Sequence, residues 1–269
     1  MYEFDYARPA SVADAAKAHQ AGDDASYLAG GMTLIPTLKQ RLARPSQLVD
    51  LSAIAEMKGI TVAGGALTVG AMTCHADVAA SAEVRKHIPA LAVLAAGIGD
   101  PQVRNRGTIG GSLANNDPSA DYPAAVLGLG ATIHTNARTI AADGFFKGLF
   151  ETALNPGEII VKVAFPIPKR AGYAKLPNPA SRYAVVGVMV AETSTGVRVA
   201  VTGAGPGVFR ATDFEAALAK SFSADAIKSL KAAVDGLNAD MHATAEYRAH
   251  LIGVMARRAV AAALGQGGG

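Results

Sequence analysis

Two pairs of adjacent glycines, Gly30-Gly31 and Gly110-Gly111, constrain this chain more than any other feature. Adjacent glycines let backbone N–H groups approach a bulky anion, because no Cβ intervenes and φ can be positive. Taken alone, each pair reads as a tight turn. Together, with Thr33 beside the first pair and Thr108 and Ser112 around the second, they read as two turns gripping a diphosphate from opposite sides. Leu34, Leu38 and Leu42 repeat every four residues, so a helix is expected after the first turn, with its positive dipole end at the anion. Neither turn is a dinucleotide fingerprint or a P-loop. Gly203-Ala204-Gly205-Pro206-Gly207 comes nearest, but its third glycine is one residue early and no helix start follows, so it reads as a turn.

Around these turns the pattern is mixed. Ser11 with Asp14 caps a helix over 12–20, and strands are expected near Tyr27-Leu28 and over 48–51, giving a β-α-β unit around the first glycines. Gly64-Gly65 joins Ile60-Thr61-Val62 to Ala66-Leu67-Thr68-Val69 as a hairpin. Helices are expected over 77–81 and 89–96, and strands over 131–135 and 159–165. Pro166 and Pro168 then mark a domain boundary. Beyond it come strands over 183–192 and 196–203, a capping box at Thr212-Asp213-Phe214-Glu215, and helices over 224–237 and 245–264. The glycine-rich end from Gly265 to Gly269 is expected to be a disordered tail.

Composition removes several functions. Twenty-five basic and 22 acidic residues are scattered, without the basic stripe that nucleic acid needs. No apolar run is long enough to span a membrane and no export signal opens the chain, so a cytoplasmic protein is expected. One cysteine, Cys74, leaves no internal disulfide, iron–sulfur set or structural zinc, and reads as an inert thiol. The six histidines form no H-x-x-x-H or H-E-x-x-H pair, so no catalytic metal is expected. Ser112 lacks the G-x-S-x-G context of a hydrolase nucleophile. Arg104 and Arg106 read equally as helix-end charges or as help for a phosphate loop. Arg248, Arg257 and Arg258 read as structural or as a subunit contact.

Ala29-Gly30-Gly31-Met32-Thr33-Leu34 and Gly107-Thr108-Ile109-Gly110-Gly111-Ser112-Leu113-Ala114 resemble the two FAD-binding motifs of the medium flavoprotein subunits of the molybdenum hydroxylases, the family of xanthine oxidase and carbon monoxide dehydrogenase. Asp100 to Arg106, Asp117 to Pro123, Gly157-Glu158-Ile159-Ile160, the stretch 175–186 and Tyr247 to Arg258 extend the resemblance along nearly the whole chain. It implies an α+β fold. A two-part FAD domain of the vanillyl alcohol oxidase (PCMH) type would cover 1–166, as a β-α-β portion to about 57 and a larger portion from 58. A smaller α+β domain would cover 169–264.

Residue by residue, the resemblance implies that Ala29, Gly30, Gly31, Met32, Thr33 and Leu34, with Thr108, Ile109, Gly110, Gly111 and Ser112, hold the diphosphate. It places Asp121 near the adenosine half, Ile160 beside the cofactor and Lys175 near the isoalloxazine. Thr73 and His75 match a hydroxyl residue and a histidine beside the flavin, and Ile98 is likewise assigned to the cofactor. FAD would be noncovalent.

Three functions compete. The first is an electron-transfer subunit that passes electrons from two 2Fe–2S clusters in a small partner through FAD to an external acceptor. A molybdenum cofactor in a large partner would oxidise the substrate, and the complex would be a dimer of heterotrimers. The second is a self-contained FAD oxidase, which needs an acid/base set that the residues after Pro168 do not offer. The third is a noncatalytic nucleotide-binding module.

Overall fold

The computed structural model describes residues 1–266 as an α+β protein with four sheets. The first is small and parallel, with Gln47–Asp50 between Asp5–Ala7 and Ala25–Leu28. The helix Val12–Ala21 supplies its first crossover, and the Ser11 hydroxyl accepts from Asp14 N at 3.1 Å, as the capping pattern predicts. The second sheet runs Ile60–Ala63, Ala66–Gly70, Ile160–Pro166, Thr132–Thr135, Thr139–Ala141, all antiparallel. Gly64 and Gly65 take φ of 58° and 77°, which is the hairpin turn their sequence asks for. A third, antiparallel meander consists of Arg170–Pro177, Ala184–Thr193, Gly196–Thr202 and Phe209–Arg210. Phe146–Gly148 and Glu151–Thr152 form a minor hairpin.

The strand Ala184–Thr193 explains how the halves join. It reads as an unbroken apolar run because both faces are covered. Val186, Val188 and Val190 enter a core shared with the helices Thr212–Lys220 and Ala245–Ala263. Met189 and Ala191 enter the larger core that holds the first two sheets.

Several expectations fail for physical reasons. Leu42 lies outside the helix after the first glycines. That helix is only Leu34–Lys39, because Arg41 turns left-handed at φ 60°, leaving Leu42 73% exposed. The second glycine pair is no turn: Thr108 caps the helix Ile109–Asn115, and Gly110-Gly111 form its first turn. Of the helix expected over 224–237, only a 3-10 turn at Asp225–Ile227 forms. Ile227 alone is buried there, Gly236 takes φ 79°, and Asn238 ties the following loop to Ala204 O and Gly205 O. The capping box at Thr212 does not close, because Glu215 instead accepts from Val199 N at 2.9 Å and from Arg210. Among the elements that escape the sequence pattern are the short helices Ala82–His87 and Pro101–Arg104, the helix Tyr122–Gly128 and the strand Arg170–Pro177. Tyr122–Gly128 is buried at every position, so it has no polar face to give a period.

Residues 267–269 of the expected tail lie outside the described residues. Gly265 and Gln266 are ordered as a Schellman cap: Gly265 takes φ 71° and donates to Ala262 O, while Gln266 donates to Ala261 O.

A candidate cofactor cleft between two glycine loops

A cleft of about 770 Å³ opens between the parallel sheet, the helix Ile109–Asn115 and the loop that joins the first two strands of the meander. Both glycine segments line it, and they touch. A Cβ on Gly30 would collide with the Arg106 carbonyl, and one on Gly111 would lie 3.3 Å from the Ala29 Cβ.

The two loops are not equivalent anion sites. No protein acceptor among the described residues takes the backbone N–H groups of Gly30, Gly31, Met32 or Thr33, and Gly31 holds φ 76°. In the second segment the donors are already spent. Ile109 N gives to Thr73 O, Gly110 N to Ala71 O at 2.8 Å, Gly111 N to Thr108 Oγ1 and Ser112 N to Thr108 O. This corrects the picture of a symmetric cradle: the first loop carries the free donors, and the second offers the Thr108 N–H and the Ser112 hydroxyl. The reason for glycine changes too. Gly110 is glycine because a Cβ would stand 2.6 Å from the Ala71 Cβ and 2.8 Å from its carbonyl, so the chain's own backbone, not an anion, excludes a side chain.

Ala29, Gly30, Gly31, Met32, Thr33, Leu34, His75, Ile98, Thr108, Gly110, Gly111, Ser112, Asp121 and Ile160 all line the cleft. Thr73, Ile109 and Lys175 do not. Thr73 is buried behind the wall, its hydroxyl bonded to Gly59 O and accepting from Gly59 N. Ile109 is fully buried in the core.

Asp121 and Lys175, assigned from the resemblance to the adenosine half and to the isoalloxazine, form an ion pair at 2.9 Å. Tyr173 OH also donates to Asp121 at 2.5 Å. Burial pushes the Asp121 carboxyl up, while the Lys175 ammonium and the Tyr173 hydroxyl pull it back toward the charged form.

His75 is the first residue of the short helix His75–Ala80 on the cleft wall, with its ring against Gly107. Its Nδ1 is buried without a partner, and burial, aided by the Arg104 charge, lowers its pKa to about 4. Arg104 itself points away from any anion: its guanidinium closes the Ile98 and Gly99 carbonyls at 3.0 and 2.7 Å. Cys74 is half-buried and burial pushes its thiol up, as an inert thiol requires.

Sequence reasoning does not single out the far end of the cleft. His19 stacks on Tyr27 at 4.4 Å, and Tyr27 OH donates to Gly157 O across 130 residues of chain. Burial pushes the Tyr27 phenol up to about 12. Glu158 is held by Arg138, Thr135 and Asn155 N, and the Arg138 hydrogen bond does most to bring its pKa down to about 2. No local spacing signals the Tyr27–Gly157 or Arg138–Glu158 contacts, whose partners lie 130 and 20 residues apart. No group of three or more His, Cys, Asp or Glu among the described residues could hold a metal ion, and no helix there could cross a membrane.

Residues 2–168 match the family described as FAD binding domain in molybdopterin dehydrogenase, and residues 171–263 match the CO dehydrogenase flavoprotein C-terminal domain. The chain is 36% identical over 282 residues to the carbon monoxide dehydrogenase medium chain of Hydrogenophaga pseudoflava, covering 97% of this chain and 96% of that one. It is 34% identical to the nicotine 6-hydroxylase medium subunit of Paenarthrobacter nicotinovorans, covering 95% of each. Its fold matches a solved carbon monoxide dehydrogenase from Hydrogenophaga pseudoflava, which lacks the Mo-pyranopterin moiety of its cofactor, with a TM-score of 0.89 over 99% of both chains at 35% identity. The chain therefore belongs to the FAD-binding medium subunits of the molybdenum hydroxylases, and is an oxidoreductase subunit.

Proposed function

We propose that this chain is the electron-transfer subunit of a heterotrimeric molybdenum hydroxylase. A large partner would oxidise the substrate at a molybdenum cofactor, a small partner would carry two 2Fe–2S clusters, and this chain would pass the electrons to an external acceptor. A dimer of such trimers is the proposed assembly, and residues 1–166 and 169–264 are the proposed domains. Bound FAD supplies a carrier that can accept electrons singly and release them in pairs.

The observation that supports this reading is the loop Gly30–Thr33, whose four consecutive N–H groups have no protein acceptor among the described residues. A diphosphate is the ligand those donors suit, with the Thr33, Thr108 and Ser112 hydroxyls beside it. Burial keeps His75 neutral in the wall. Ile98 and Ile160 give apolar surface for flat rings, and Asp121 fixes the wall through Tyr173 and Lys175.

On this reading FAD is held without a covalent tether. Acid precipitation of the purified protein should release FAD into a yellow supernatant at one per chain. Flavin retained in the pellet, or FMN in its place, contradicts the reading.

A further inference from the structure

We propose that Lys175 is a positioning residue: its ammonium latches the loop 178–183 to Asp121 and Gly97, so that the loop forms one wall of the cleft.

Lys175 lies on the strand Arg170–Pro177 with only 10% of its side chain exposed. Its Nζ donates to Arg182 O at 2.7 Å, to Gly97 O at 2.9 Å and to the Asp121 carboxylate at 2.9 Å. An ammonium has three protons, and all three are used. Lys175 therefore has no donor left for a ligand and acts through what it holds.

The three acceptors belong to separate pieces of the cleft wall. Gly97 ends the helix Pro89–Ala96 and leads into Ile98 and Gly99, which line the cleft. Asp121 opens the helix Tyr122–Gly128 and lines it too. Arg182 belongs to the connection between Arg170–Pro177 and Ala184–Thr193, where Ala180, Ser181, Arg182 and Tyr183 line the cleft.

That loop shapes itself but does not attach itself. Asn178 Oδ1 accepts from Ala180 N and Ser181 N, Arg182 N donates to Asn178 O, and Asn178 N donates to Tyr183 O. Its base is fixed by Ala184 N on Ser119 O and by Asn178 against His242. From Pro179 to Tyr183, the bond from Lys175 is the one hydrogen bond that reaches outside the loop among the described residues. Arg182 also takes φ 61°, a left-handed conformation that a non-glycine residue keeps only when its surroundings hold it. A charge-assisted bond to its carbonyl does so.

The inference rests on the proposed FAD reading only for what the wall encloses, and its first test needs no cofactor. Hydrogen–deuterium exchange on the full chain without FAD compares wild type, Lys175→Met, Asp121→Asn and the double variant. Loss of the latch should speed amide exchange in 180–183 by about tenfold or more in Lys175→Met. Met leaves the Asp121 carboxylate buried without its cation and could prevent folding, so the double variant removes that charge as well. It should release the loop equally. Asp121→Asn alone keeps the Lys175 bond to Arg182 and should leave loop exchange at the wild-type rate. Wild-type exchange in the double variant overturns the latch, as does full release of the loop by Asp121→Asn alone. In FAD-loaded protein, iodide should quench flavin fluorescence several-fold more strongly in the double variant. Unchanged quenching with a released loop overturns the assignment of the loop as a wall.

Discussion

At the scale of single residues, the two glycine pairs show that one residue type serves opposite ends. Gly31 is needed for a left-handed backbone and Gly30 for the contact between the loops, while Gly110 is needed for helix packing. A substitution that tests the cleft without wrecking the fold is therefore Gly111→Ala. Its φ is ordinary, and its Cβ would stand 3.0 Å from Thr108 Oγ1 and 3.3 Å from the Ala29 Cβ. It should lower FAD affinity by about tenfold while costing no more than about 1 kcal/mol in denaturant unfolding. Full affinity would show that the gap between the loops does not touch the ligand. His75 gives a second residue-scale outcome. Its folded pKa of about 4 lies below the ordinary 6.5, so the folded chain refuses a proton that the unfolded chain accepts. Its contribution is complete above about pH 6.5 and is lost as pH falls toward 4, about 3 kcal/mol in all. Denaturant titrations from pH 7.5 to 4 should show that slope in wild type and a flatter one in His75→Asn. Glu158, whose pKa lies near 2, acts only below about pH 4.5 and does not confuse the comparison.

At the scale of elements, the sequence announces what has a polar and an apolar side and conceals what does not. Val12–Ala21, the Gly64-Gly65 hairpin and Ala245–Ala263 were legible from caps, turn residues and period. Tyr122–Gly128 was not, because burial on all sides erases the period. The expected helix over 224–237 erred the other way: Ile227 is its one buried residue, Leu230, Ala232 and Leu237 are only partly buried against the core, and propensity with so little packing is weak. The final helix instead packs so closely that Gly172 in the strand Arg170–Pro177 admits no side chain. A Cβ there would collide with Ala259 O and lie 2.7 Å from Ala263 N. Gly172→Ala should destabilise the protein by about 1–3 kcal/mol in urea unfolding, by pushing that helix off its sheet. Arg248 anchors the same helix through Val185 O, Gly203 O and Asp240, which settles its role as structural.

At the scale of the whole molecule, the site was legible as a list and not as a geometry. Most of the motif residues line the cleft, but local strings could not reveal that Asp121 meets Lys175 across 54 residues, nor that Tyr27 meets Gly157. The larger expectation concerns chemistry. Isolated chain loaded with FAD should show no bleaching of flavin absorbance in anaerobic stopped flow with any substrate that the assembled complex oxidises. Adding both partners should restore reduction, and omitting the iron–sulfur chain should abolish it. Rapid bleaching of the isolated chain would favour the self-contained oxidase instead.

The cleft wall is assembled from residues near 30, near 110 and near 180, so its closure is a late event in the life of the polypeptide. A chain leaving the ribosome has both glycine segments long before it has Tyr173, Lys175 and the loop to Tyr183, and long-range contacts of this kind form slowly. The complete cleft exists only once the C-terminal sheet has docked.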